Sequence, residues 1–188
     1  MKILVTFALE NEFAPWRAMR EFRSTESGDV AAYAAEIAGA EVVVVLTGAG
    51  PKRARAVATK IMKEQDSTNF CVSSGLAGAL AANLRVGQIV AARSVFAERA
   101  AEDDARNMLP GSEPLLAFAL EAGATAVNRF YSADHVITRS AEKKAMGEHS
   151  DAVEMESFEI MVAAAENGIP AIAIRSIAIL LMRICRWI

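Results

Sequence analysis

Apolar runs of strand length alternate along the chain with segments of helical length. Residues 3–7 form an apolar run that stops at a charged stretch, the pattern of a strand buried on both faces. Residues 8–23 pass from a loop into a helix, with Pro15 acceptable near its start, and residues 24–29 are a polar turn. Strands follow at 30–37 and 41–47, joined at Gly39-Ala40. Val42-Val43-Val44-Val45-Leu46 is β-branched and unbroken, the strongest strand signal in the chain. A helix at 51–65 opens on Pro51, which suits a first turn. Then come a strand at 69–74, a small-residue loop at 75–80, a strand at 88–98 and a charged surface loop at 98–110. A short helix at 114–122 ends at Gly123, a strand spans 125–133, and 141–148 is a polar helix or loop. A helix at 156–167, stopped by Gly168, leads into a buried strand at 169–177. This alternation predicts one α/β domain, a mostly parallel mixed sheet flanked by helices in three layers. Ligands of such folds lie beyond the carboxyl ends of strands.

Composition narrows the function classes. The chain has 188 residues, 53% of them hydrophobic and 23% charged, enough for one domain with a sizeable core. A net charge of −3 and a pI near 5.5 argue against a nucleic-acid footprint. Cys71 and Cys185 have no metal-ligand spacing and form no disulfide framework. No apolar stretch reaches the roughly 18–20 residues of a membrane span, and the N-terminal run lacks a signal-peptide cleavage site. The expectation is a cytoplasmic protein without a metal or cofactor.

Three stretches that follow predicted strands carry candidate chemistry. Thr47-Gly48-Ala49-Gly50 turns from strand to helix; it is either a simple tight turn or a place where a ligand approaches the backbone of Gly48 beside a helix N-terminus. The small residues at 75–80 leave backbone amides free to face a cleft. Asp151-Ala152-Val153-Glu154-Met155-Glu156-Ser157 places carboxylates at a helix start. They complement the helix dipole, or Glu156 projects into a cleft and accepts hydrogen bonds from two neighbouring sugar hydroxyls. In that case Met155 lies flat on the sugar as soft apolar surface.

Val153-Glu154-Met155-Glu156-Ser157 resembles the VEMEA/S signature of the nucleoside phosphorylase and nucleosidase superfamily, most closely the 5′-methylthioadenosine/S-adenosylhomocysteine nucleosidases. Ala8-Leu9-Glu10-Asn11-Glu12, Thr47-Gly48-Ala49-Gly50 and Ser73-Ser74-Gly75-Leu76-Ala77-Gly78-Ala79-Leu80 resemble that family's other motifs, in the same order. The resemblance covers residues 1–177. It implies N-glycosidic cleavage of an adenine nucleoside, with Glu12 activating water and Glu156 holding the ribose hydroxyls. Met155 would pack on the sugar, Ala77 and Gly78 would offer backbone groups to the base, and Val136 and Ile137 would pack on the purine. Glu154 and Arg175 fall among the substrate-binding positions. A homo-oligomer, with a dimer favoured, is the implied assembly.

Departures from the family pattern open alternatives. Val136 stands where an aromatic is usual, and Leu76 replaces a small polar residue. The Gly75–Leu80 form and Ala141-Glu142-Lys143-Lys144 resemble the hopanoid-associated branch, which implies a larger apolar 5′ substituent. Ser73 stands where hexameric phosphorylases carry arginine, which favours water over phosphate as nucleophile. If phosphate is the co-substrate, Gly48 approaches it and Arg53 or Arg93 supplies the cation; otherwise both arginines are solvated surface. His135 and His149 receive no role from the resemblance. After Arg175-Ser176-Ile177 the family continues with Ser-Asp, the aspartate protonating the purine, whereas this chain reads Ala178-Ile179. Residues 178–188 are therefore either a frame-shifted or truncated ending, or a divergent helix with Ile177, Leu180, Leu181 and Ile184 on one face. Loss of the acid leaves a weak catalyst, a non-catalytic nucleoside binder, or a subunit that only builds an oligomer.

Overall fold

The computed structural model describes residues 1–27, 30–64, 67–97 and 108–179. Its elements in chain order are β1 (Lys2–Phe7), α1 (Glu10–Met19), β2 (Arg23–Ser27), β3 (Val30–Ile37), β4 (Ala40–Leu46), α2 (Pro51–Glu64), β5 (Phe70–Ser73) and β6 (Leu76–Ala79). They continue with β7 (Ile89–Phe96), β8 (Met108–Pro110), α3 (Glu113–Glu121), β9 (Thr125–Ser132), α4 (Ser140–Gly147), β10 (Ala152–Glu154), α5 (Ser157–Glu166) and β11 (Ala171–Ile179). All strands join one mixed sheet in the order β2-β3-β4-β1-β5-β11-β6-β10-β9-β7-β8. The centre is parallel: β1 runs with β4 and β5, β11 with β5 and β6, and β9 with β7 and β10. An additional antiparallel pairing of β11 with β7 closes β11, β6, β10, β9 and β7 into a five-stranded ring. β2, β3, β4, β1 and β5 form an open wing, β11 belongs to both parts, and β8 pairs with the far end of β7.

The strong apolar run explains the layers. On β4, Val43 and Val45 face a core shared with Ala54, Ala58, Ile61 and Met62 of α2 and with Phe158, Ile160 and Met161 of α5. Val42 and Val44 point the other way, with Val5, Phe7 and Phe13 of α1. Alternation along one strand thus feeds two cores, as expected for a sheet covered on both faces. A third cluster seats α3 through Leu116 and Ala119 on Ala91 and Ile172. The three-layer α/β/α arrangement matches the expectation from sequence.

Several segments differ from it. Met108–Pro110, inside the expected surface loop, forms β8 antiparallel to β7, and Ala152–Glu154, for which no strand is expected, forms β10. The polar stretch read as a turn at 24–29 is in part β2, an edge strand antiparallel to β3, with Ser24 opposite Tyr33. Its polarity is that of an exposed edge, which charged and hydroxyl side chains protect from further pairing. The small-residue loop at 75–80 contains β6, held parallel to β11 and antiparallel to β10. The final strand runs on to Ile179, two residues past its expected end, so Ile177 lies on a strand and not on a helix. The expected helical face at 180–184, the rest of the tail and most of the charged 98–110 segment lie outside the described residues. Among the described residues no helix is long and apolar enough to cross a membrane.

Candidate active site

Four stretches far apart in sequence are tied together at the carboxyl ends of β1, β4, β5 and β10. The N–H of Gly48 donates to the Ala8 carbonyl at 2.9 Å, and that of Thr47 to the Phe7 carbonyl at 2.8 Å. The N–H of Ser74 donates to the Thr6 carbonyl at 2.8 Å. These bonds fix the turns after β1, β4 and β5 against one another, and two half-buried carboxylates, Glu12 and Glu156, complete the junction.

Glu12 is the third residue of α1. Its Oε2 accepts the N–H groups of Ala8 and Leu9, each at 3.0 Å, so it caps its own helix from inside the first turn. Its Oε1 accepts the N–H of Leu76 at 3.2 Å, on the central small-residue segment. Gly75 permits this approach: a Cβ there would lie 3.1 Å from Oε1, and the residue has φ +141°. The capping role and a role in the site are therefore held by one side chain.

Glu156 sits at the N-cap of α5, yet its side chain does not cap that helix. Its Oε1 instead accepts the N–H of Gly50 at 2.8 Å, across from α2. Burial raises the Glu156 pKa, and the nearby charges of Glu154 and Glu12 raise it further; the Gly50 hydrogen bond and Arg175 act in the opposite direction. Met155 beside it is half-buried.

Glu154 and Arg175 occupy a different layer. Arg175 is 2% exposed and Glu154 5%. Oε2 of Glu154 accepts the N–H of Glu156 at 2.9 Å, the N–H of Ser157 at 2.8 Å and Nη2 of Arg175 at 2.7 Å. Arg175 also donates through Nη1 to the Ser73 carbonyl at 2.6 Å and through Nη2 to the hydroxyls of Ser73 and Ser157 at 3.1 and 2.7 Å. The protein thus supplies partners to Arg175 and to Oε2 of Glu154, while Oε1 of Glu154 is buried without a hydrogen-bond partner among the described residues. The two serines, which composition did not single out, complete this buried network. The only signal available for them was position: Ser157 closes the signature, and Ser73 stands where an arginine was the alternative.

The remaining candidates divide by exposure. Ala77 is buried and, with Gly78, pairs with β11; Gly78 also pairs with Val153 of β10 and lies against its side chain. Ile137 is buried, whereas Val136 is 62% exposed. Gly48 has φ +76°, and the Arg53 side chain folds over it so closely that a Cβ would meet Cδ and Nε at 2.5 Å. His135 lies on the surface between Asp134 and Glu142, which raise its pKa, the Asp134 hydrogen bond most. Among the described residues no group of three His, Cys, Asp or Glu side chains is placed to hold a metal ion.

The family model of the phosphorylase superfamily matches residues 2–183. The chain belongs to the phosphorylase superfamily. A curated relative, the 5′-methylthioadenosine/S-adenosylhomocysteine nucleosidase of Aeromonas salmonicida, is 33% identical over 93 residues, 49% of this chain and 40% of that protein. The matched stretch thus spans less than half of the relative's length. The Campylobacter jejuni nucleosidase of the same name superposes with a TM-score of 0.84 at 19% identity, covering 100% of this chain and 90% of that one. A mutant of the Helicobacter pylori counterpart, solved with 5′-methylthioadenosine in the active site, gives 0.81 at 18% identity over 94% and 84% of the two chains. At these identities the superpositions establish a shared fold.

Proposed function

We propose that this superfamily member binds an adenine nucleoside and that its site is built for cleavage of the N-glycosidic bond by water. The observation that carries the reading is the convergence of Glu12 and Glu156 on one junction: Glu12 accepts the N–H of Leu76 after β5, Glu156 accepts that of Gly50 after β4, and the turns after β1, β4 and β5 are bonded to one another. Glu156, ionised, accepts the ribose hydroxyls; Glu12, with Oε1 turned toward the central segment, takes a proton from the attacking water. A positioned general base is worth about 10²- to 10⁴-fold. The relatives' names, which speak of methylthioadenosine and adenosylhomocysteine, support an adenine nucleoside. Water is favoured over phosphate because both terminal nitrogens of the buried Arg175 already have protein acceptors, and Ser73 offers no charge.

Turnover by this chain is proposed to be poor. Adenine departs badly as an anion, and position 179, where the family pattern has the proton-donating aspartate, is isoleucine. A nucleoside-binding protein with residual hydrolysis is the outcome. Calorimetry with 5′-methylthioadenosine, together with chromatographic detection of adenine, tests both parts. Binding with slow adenine release that does not respond to added phosphate is expected. A ribose 1-phosphate product would make the protein a phosphorylase, and absence of binding would remove the nucleoside reading.

A further inference from the structure

Glu156 is the N-cap of α5, yet its side chain accepts no N–H of that helix. An N-cap residue ordinarily accepts an N–H of the first turn through its own oxygen. Here the N–H groups of Glu156 and Ser157 are both taken by Oε2 of Glu154, two and three residues earlier. The Glu156 side chain itself bonds Gly50 on the far side of the junction. Three cationic or hydroxyl groups stand behind Glu154: Arg175 at 2.7 Å, itself anchored by the Ser73 carbonyl, the Ser73 hydroxyl and the Ser157 hydroxyl. Arg175 comes from β11, Ser73 from β5 and Ser157 from α5, so the strut spans three elements.

We infer that Glu154 is a positioning residue: by holding the backbone N–H groups of Glu156 and of the residue after it it sets the direction of the Glu156 carboxylate, and with it the site's ability to tell a riboside from a 2′-deoxyriboside. The inference rests on the proposal that Glu156 accepts the ribose hydroxyls. The physical reason is geometric. A carboxylate that accepts two vicinal hydroxyls must meet both at hydrogen-bonding distance and angle, and such bonds weaken steeply when misaligned. The backbone of Glu156, at φ −122° and ψ −31°, is held by one oxygen of Glu154. Removing the charge from that oxygen slackens its hold on both N–H groups and leaves Arg175 buried without its counter-charge, so the helix start shifts; it also removes one of the charges that raise the Glu156 pKa, a change that favours the ionised, hydroxyl-accepting form and so does not account for a loss of affinity.

The test compares binding of 5′-methylthioadenosine and its 2′-deoxy analogue, by calorimetry, in the parent chain and in Glu154→Gln. The parent is expected to prefer the riboside, and Glu154→Gln to lose about tenfold in riboside affinity, the scale of one hydrogen bond to a charged group, with little change for the deoxy analogue. The control is Ser132→Ala. The Ser132 hydroxyl accepts the N–H of Phe158 at 3.4 Å, at the same helix end but without a bond to the backbone N–H of Glu156. It is expected to lower the melting temperature and leave the preference intact. If Glu154→Gln does not fold, Ser73→Ala carries the test, with a smaller loss of preference expected. A parent that prefers the riboside beside variants that keep the same ratio overturns the positioning role alone. A parent with no preference overturns the reading of Glu156 and this inference with it.

Discussion

Glu156 faces two opposed demands. To accept hydroxyl protons it must be ionised, yet burial and the neighbouring carboxylates raise its pKa. A carboxyl whose pKa is higher folded than unfolded binds more protons in the native state, so its ionisation lowers stability as pH rises through the shifted range. Glu156→Gln is therefore expected to melt at a higher temperature than the parent at neutral pH. That gain should shrink as pH falls through the raised Glu156 pKa, where the parent is neutral as well. The same variant is expected to lose at least tenfold in riboside affinity. Thermal melts across pH, paired with calorimetry, check both; a variant less stable at pH 7 would show that the Gly50 bond outweighs the burial of charge. Much of this residue was legible in the sequence, because the signature names it. What the sequence could not say is how differently two glutamates, two positions apart, are placed: Glu154 is buried against Arg175 and Glu156 is half-buried against Gly50. Period-two spacing would put both on one face of a strand, but β10 ends at Glu154 and the chain turns, so one points inward and the other outward.

At the scale of elements, α1 joins the site to a core. Phe13 is 0% exposed and packs against Phe7, Trp16, Phe22 and Tyr33, with ring centroids 5.0–6.1 Å away. Its neighbour Glu12 carries the candidate base. Phe13→Ala is expected to destabilise the fold by about 3–5 kcal/mol, the usual cost of an emptied aromatic site, measurable as a lower denaturation midpoint. Elements with long apolar runs, such as β4, or clear helical stops, such as α5, were legible. Four short strands were not: β2, β6, β8 and β10. β2 is a polar edge, and β6 is made of Leu, Ala and Gly whose pairing partners, β10 and β11, lie more than 70 residues away in sequence. Neither carries a local signature, because their stability comes from partners that the local sequence does not reveal.

For the whole molecule, the route of β11 matters most. Its last described pairing sets Ile179 opposite Gly78, past an irregularity after Ile177, so position 179 arrives beside the segment expected to meet the base. Ala178→Ser with Ile179→Asp is therefore expected to raise adenine release from 5′-methylthioadenosine by about 10²-fold or more, the lower end for a general acid. Fast turnover by the unaltered chain would mean that another group supplies the proton. The ring closure itself was not legible, since it depends on one strand holding β5, β6 and β7 at once. That has a consequence for how the protein is made. On the ribosome, every other described strand emerges before β11, and until Ala171 follows, β5, β6 and β7 keep open edges of the kind that recruit foreign strands. The nascent wing and the nascent ring wait for one late segment, and a chain that stalls at Pro170 is the form most in need of a chaperone.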